Sequence, residues 1–112
     1  MEVIKMYPED MDKRTSYKLM NSNETKRMSD ADGSILEVKA WCIYNDIDTK
    51  TGDEKKVVSV MTNDDEIFGT ISETFIREFE KIADHFGNDV GSIKVITGTS
   101  KAGRTFITCD IV

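Results

Sequence analysis

Histidine and cysteine are scarce in this chain of 112 residues, and no long apolar run is present. With one histidine, His85, and no paired cysteines, the sequence offers no metal-ligand spacing, so we expect neither metal nor cofactor. No stretch reaches the roughly 20 apolar residues that cross a bilayer, and residues 1–5 lack the apolar core of a signal peptide. A cytoplasmic protein without membrane partners is therefore expected. Cys42 and Cys109 lie in apolar runs, which favours two reduced, buried thiols; a disulfide is the alternative.

The residues that catalysis requires are also few. His85 falls at the predicted end of a helix, where it caps the last carbonyl groups, and the acidic pairs at 53–54 and 64–65 fall in predicted turns. Residues 98–105 have the spacing of a phosphate-binding loop with arginine in place of lysine, but they precede a strand instead of a helix. They fit a basic hairpin or a simple turn equally well. We therefore expect a protein that is not an enzyme.

Acidic residues outnumber basic ones, 21 to 15, which gives a formal net charge of −6. The sum alone argues against a nucleic-acid-binding protein. The basic residues are unevenly distributed, however, because residues 92–112 carry three basic groups and one acidic group. One positive surface is therefore compatible with an acidic remainder that repels other polyanions.

Hydrophobic periodicity predicts five strands and two helices. Strands are indicated at about residues 34–48, 56–62, 66–71, 92–98 and 104–111. Apolar residues at helical spacing predict a helix at residues 75–86, with residues 70–73 as its capping box and Gly87 as its stop. A shorter helix is expected at residues 11–21, whereas residues 1–10 show no clear period and are expected to form an irregular arm.

The order of these elements is that of an OB-fold, a small, mainly β barrel with five strands and one helix between the third and the fourth. Other α+β arrangements share this order. We expect residues 34–112 to form the barrel, and residues 1–33 to add an arm and a short helix packed on it. The first strand, 15 residues long, fits a barrel because such a strand has to bend and pair at both ends.

Two strands combine aromatic and basic residues. In the first strand, alternate residues within 36–44 are apolar and are expected to face the core, whereas Lys39 and Trp41 share the opposite, exposed face. Phe106 and Arg104 share one face of the last strand. Aromatic rings and cations together are what sequence-independent binding of single-stranded nucleic acid requires, and an exposed tryptophan would be quenched on binding. Burial of Trp41 or of Phe106 is the alternative.

Most of the chain, from about Tyr17 to Ile111, resembles the single-stranded DNA-binding proteins of phages and mobile elements of Gram-positive bacteria, of the type used in protein-primed replication. The matching segments are residues 17–21 (YKLMN), 36–39 (LEVK), 68–72 (FGTIS) followed by Phe75, 93–95 (IKV), and 103–106 (GRTF). The resemblance rests on the order and spacing of these short segments. Residues 1–8 have no counterpart in it.

The resemblance implies an OB-fold and a non-catalytic protein that coats and protects displaced strands during phage DNA replication. Such proteins bind single-stranded DNA cooperatively, through aromatic stacking and through lysine and arginine contacts. Exposed strand edges and the N-terminal arm are compatible with self-association along DNA, and contacts with replication proteins are a further expectation. The nucleic-acid-binding residues implied here are Lys39, Trp41, Lys94, Lys101, Arg104 and Phe106, with Tyr17 and Lys18 as secondary candidates.

A second hypothesis follows from the acidic composition. An OB-like domain with many carboxylates can imitate the charge of DNA and bind a basic host protein as an adaptor or an inhibitor. The two hypotheses differ in whether the protein binds oligonucleotides.

Overall fold

The computed structural model describes residues 2–112, which form a mainly β structure with two α-helices. The strands are β1 (Glu2–Tyr7), β2 (Lys26–Arg27), β3 (Ile35–Ile47), β4 (Glu54–Thr62), β5 (Ile67–Thr70), β6 (Ser92–Thr99) and β7 (Thr105–Ile111). The helices are α1 (Lys13–Asn21) and α2 (Glu73–His85), and a short 3₁₀ helix occupies Met28–Ala31. Neither α-helix of these residues has the length and apolarity needed to cross a membrane.

β3 is the central strand of a single curled sheet, whose order is β2-β5-β4-β3-β6-β7. β4 pairs with one edge of β3 over residues 38–47. The other edge is divided, because residues 35–37 pair with β6 and residues 41–45 pair with β1. One strand of 13 residues thereby joins two parts of the sheet, as the long first strand does in an OB-like fold.

A bulge at Lys39 exchanges the two faces of β3. Around this residue β3 advances by two positions while β4 advances by one, so Lys39 is the extra residue. Before the bulge Leu36 and Val38 face the main core, and beyond it Trp41 and Ile43 do. Because one extra residue inverts the alternation of a strand, even-numbered residues enter the main core before the bulge and odd-numbered residues enter it after the bulge.

The main core lies between the inner face of the sheet and α2. Trp41 meets Phe79 edge to face with 5.1 Å between ring centroids, and Phe79 stacks on Phe75 at 6.1 Å. The hydroxyl of Ser72 accepts a hydrogen bond from the Phe75 amide and donates one to the Ile107 carbonyl, both at 3.3 Å. The same side chain therefore caps the start of α2 and ties it to β7.

A second apolar cluster lies on the outward side of β3 and β4, beneath α1. Leu19 is the residue of α1 that is fully buried in it, and Met20 packs at its edge. The strand residues of the cluster are Ala40, Cys42, Tyr44, Met61 and Ile67. Asp12 fixes the start of α1, because its carboxylate accepts a hydrogen bond from the Thr15 amide at 2.7 Å, which also lowers the pKa of Asp12.

The curled sheet does not close on itself. Within residues 2–112, β7 at one end of the sheet pairs neither with β2 at the other end nor with its neighbour β5. α2 follows β5 and packs against β7, where Ser72 reaches the Ile107 carbonyl. The sheet is therefore consistent with an OB-like fold, but it is curled and open instead of forming the closed barrel that the sequence predicts.

Two further expectations are wrong. Residues 2–7 do not form an irregular arm, because they pair with β3 as the antiparallel strand β1. A register shift between Val3 and Lys5 interrupts the alternation of this strand, which explains why the sequence shows no period there. β1 and the two-residue β2 raise the number of strands within residues 2–112 from the predicted five to seven.

Both cysteines are free and buried, so their thiols should react only when the protein unfolds. Burial raises the pKa of Cys42 to about 11 and that of Cys109 to about 12, from an ordinary value of 9.0. Because the thiolate is the reactive form, we expect the thiol reagent DTNB to label neither residue of the native protein at mildly alkaline pH, and both in guanidinium chloride. Rapid labelling of the native protein would contradict the buried positions.

The raised pKa values of the two thiols also make the protein less stable at high pH. A thiol whose pKa is higher in the folded state favours folding below pH 9.0, and this contribution is lost as the pH rises towards about 11. Urea titrations across this interval should therefore show falling stability. The control is Cys42→Ala/Cys109→Ala, whose stability should fall less steeply over the same interval.

Candidate nucleic-acid interface

The outward face of the sheet, which is the side opposite the main core, is exposed on β6 and β7. Phe106 of β7 lies beside Gly98 of β6 in the antiparallel register. Lys94 points to the same side, because its neighbours Ile93 and Val95 are buried in the main core. The last hairpin therefore presents a lysine and an aromatic ring on one surface.

Four of the predicted binding residues lie on this β6–β7 hairpin, and we call them the hairpin patch: Lys94, Lys101, Arg104 and Phe106. The turn is tight, because the Ser100 amide donates to the Arg104 carbonyl at 2.8 Å and the Gly103 amide donates to the Ser100 carbonyl at 2.9 Å. Gly103 has a φ of +80°, a conformation that favours glycine. The turn leaves Lys101 and Arg104 exposed at the tip of the hairpin.

The ring of Phe106 is held over Gly98. A Cβ atom at Gly98 would lie 2.6 Å from the Cζ atom of Phe106, so the ring occupies the space that any other residue would need. Phe106 nevertheless keeps 38% of its surface exposed. An anchored but accessible ring is suited to stacking on an unpaired base. Arg104 lies in the turn two residues before Phe106 and is exposed beside it.

Tyr17 and Lys18, the secondary candidates, lie on the exposed side of α1. Lys13 and Arg14 are exposed one turn earlier, and we call these four residues the helix patch. Tyr17 has 65% of its surface exposed, whereas Leu19 faces the sheet. The sequence analysis does not include Lys13 and Arg14 among the candidates, although each lies four residues before Tyr17 or Lys18 and therefore on the same side of the helix.

Lys39 is exposed at the bulge of β3, but its ammonium group forms an ion pair with Asp65. The hydrogen bond and the charge of Lys39 lower the pKa of the Asp65 carboxyl, and the charge of Lys18 adds to this effect. Lys39 therefore lies near the helix patch, but its charge is already engaged. It is less available to a phosphate than the cations of the two patches.

Trp41 does not lie on the surface. Its ring is fully buried against Phe79, and its indole N–H donates a hydrogen bond to the Asn88 carbonyl at 2.8 Å. The expectation that Trp41 is exposed is wrong, because the bulge at Lys39 turns this side chain towards the core. DNA binding is accordingly not expected to quench its fluorescence.

Ion pairing separates the two patches from most other cations. Seven of the 15 lysines and arginines form ion pairs within residues 2–112, and eight do not. Six of these eight are the cations of the hairpin patch and the helix patch. The other two, Lys50 and Lys55, lie on or beside the β3–β4 turn among the carboxylates at positions 46, 48, 53 and 54. Cations without a carboxylate partner are therefore concentrated on the two patches.

The curled sheet, the accessible rings and the unpaired cations define a β domain suited to single-stranded nucleic acid. A family model described as phage single-stranded DNA-binding protein, of the phi29 type, matches residues 2–112. The chain therefore belongs to this family of DNA-binding, non-enzymatic phage proteins, which confirms the resemblance found in the sequence. No curated protein and no solved structure matches the chain significantly.

Trp41→Phe tests whether the buried ring takes part in binding. The substitution leaves the Asn88 carbonyl without its partner, so we expect the free energy of unfolding to fall by about 1–3 kcal/mol in urea titrations. The affinity of the folded variant for oligo(dT) should be unchanged. Phe106→Leu is the comparison, because it removes an exposed ring and should weaken binding with little effect on stability. Weak binding by a Trp41→Phe protein of native stability would place Trp41 in the interface instead.

Proposed function

We propose that this protein coats displaced single strands during phage DNA replication and protects them, without reading their sequence. The observation that carries the proposal is the hairpin patch, where an accessible ring lies among cations that have no ion-pair partner within residues 2–112. An aromatic face accepts any base, and lysine and arginine accept any phosphate. Their combination supports binding that is independent of sequence.

The proposed path of the DNA follows the β6–β7 hairpin. Lys101 and Arg104 bind phosphates at its tip, Phe106 stacks on a base, and Lys94 binds a phosphate further along β6. Asp110 is the cross-strand neighbour of Lys94, but its carboxylate accepts a hydrogen bond from the next backbone amide at 2.8 Å and forms no ion pair with Lys94. The charge of Lys94 therefore remains available to the DNA backbone.

Fluorescence anisotropy of a labelled oligo(dT) over a series of salt concentrations tests DNA binding. The wild-type protein is expected to bind, with log affinity falling linearly against log salt by about 0.7 per phosphate contact. Lys101→Gln/Arg104→Gln should reduce this slope by about 1.4, because two contacts are removed. Lys50→Gln/Lys55→Gln has the same net charge and should keep the wild-type slope.

Two results would contradict the proposed binding. Equal slopes for wild-type protein and Lys101→Gln/Arg104→Gln would exclude the tip of the hairpin from the interface. No binding of oligo(dT) by the wild-type protein, together with a stable complex with a basic host protein, would favour the acidic adaptor or inhibitor instead.

Coating is tested separately on a long single strand. At saturating protein concentration, the DNA should resist a nuclease specific for single strands, because neighbouring proteins leave little free backbone. Phe106→Leu should require a higher concentration for the same protection. Digestion at the rate of free DNA, under conditions where anisotropy shows saturation, would contradict coating even though binding had been demonstrated.

A further inference from the structure

We infer that α1 is a second DNA-binding element, which takes the place of the sheet face that it covers; this inference rests on the proposed function. Oligonucleotides commonly bind an OB-fold over its second and third strands. The corresponding strands here are β4 and β5, and the apolar cluster beneath α1 includes outward residues of both. The helix therefore stands where a DNA strand would otherwise lie.

The covered face is not available to DNA. Leu19 of α1 is fully buried there, and Tyr44, Met61 and Ile67 of the sheet are buried with it. Lifting the helix would expose all of these apolar side chains to water, which opposes such a movement. A strand that follows the sheet therefore meets the outer surface of α1.

That outer surface has the chemistry of the hairpin patch. At about 100° per residue, the four residues of the helix patch fall within an arc of about 140°. α1 contains three cations and no acidic residue, and none of the three forms an ion pair within residues 2–112. Tyr17 lies among them with 65% of its surface exposed. A base can stack on Tyr17 while Lys13, Arg14 and Lys18 bind the neighbouring phosphates.

The two patches lie on the same side of the sheet. α1 packs on the side of β3 that Ala40 and Cys42 face, opposite Trp41 and the main core. Phe106 also lies opposite the main core, because its neighbour Ile107 packs against that core. A strand bound at the hairpin patch can thus continue to α1 without passing round an edge of the sheet.

Stacking on Tyr17 is tested with an aromatic control. Tyr17→Ala should weaken oligo(dT) binding about 5- to 150-fold, the range expected for losing one stacked base. Tyr17→Phe keeps the ring and should bind like the wild-type protein. Urea titrations should show both variants as stable as the wild type, because the side chain is exposed. Wild-type affinity of Tyr17→Ala would overturn the stacking role.

The salt dependence of oligo(dT) binding tests the cations of α1, and two lysines outside both patches serve as the control. Arg14→Gln/Lys18→Gln should reduce the salt slope of oligo(dT) binding by about 1.4, whereas Lys50→Gln/Lys55→Gln should not. Equal reductions in both pairs would show a general effect of net charge and overturn the inference. So would an unchanged slope in the α1 pair while Lys101→Gln/Arg104→Gln remains affected. If the wild-type protein itself fails to bind, the proposed function is rejected, which is a distinguishable result.

Discussion

The bulge at Lys39 is the constraint on which the rest of the structure depends. β3 is paired along both edges and packed on both sides. The face to which each of its residues points therefore decides which apolar cluster that residue enters. The extra residue sends Trp41 to the main core and leaves Cys42 beneath α1. Without this shift of register, Trp41 would face α1 on the outward side of the sheet, and its contact with Phe79 of α2 would be lost. The same residue that creates the bulge is exposed and paired with Asp65.

Local patterns were sufficient to predict some of the fold. α2 was predictable because its apolar stripe, its Ser72 cap and Gly87 lie within one short segment. β1 was not, because its pairing with β3 is a contact between residues distant in the sequence and its alternation is interrupted. The closed barrel was also predicted wrongly, since no local pattern reports whether β5 and β7 meet.

The candidate binding residues likewise divide into those that local patterns place and those that depend on distant contacts. Phe106 and Arg104 are exposed beside a glycine-containing turn, as the alternation of the last strand suggests, although that pattern alone leaves burial of Phe106 open. The position of Trp41 depends on the bulge, and the strand pattern carries no sign of an inserted residue. The availability of Lys39 depends on Asp65, which lies 26 positions later in the chain. Ion pairs between distant residues cannot be deduced from composition, although they decide which cations remain free.

Burial of Trp41 leaves few rings for DNA. Within residues 2–112, the aromatic residues with high exposure are Tyr17, Phe86 and Phe106, and Phe86 follows α2 on the inner side of the sheet. Two stacked bases contribute about 2–6 kcal/mol, whereas micromolar binding requires about 8 kcal/mol. In the proposed binding mode, phosphate contacts with the six unpaired cations supply the remaining binding free energy. Affinity should therefore depend more on salt than on base identity, as expected for binding that is independent of sequence.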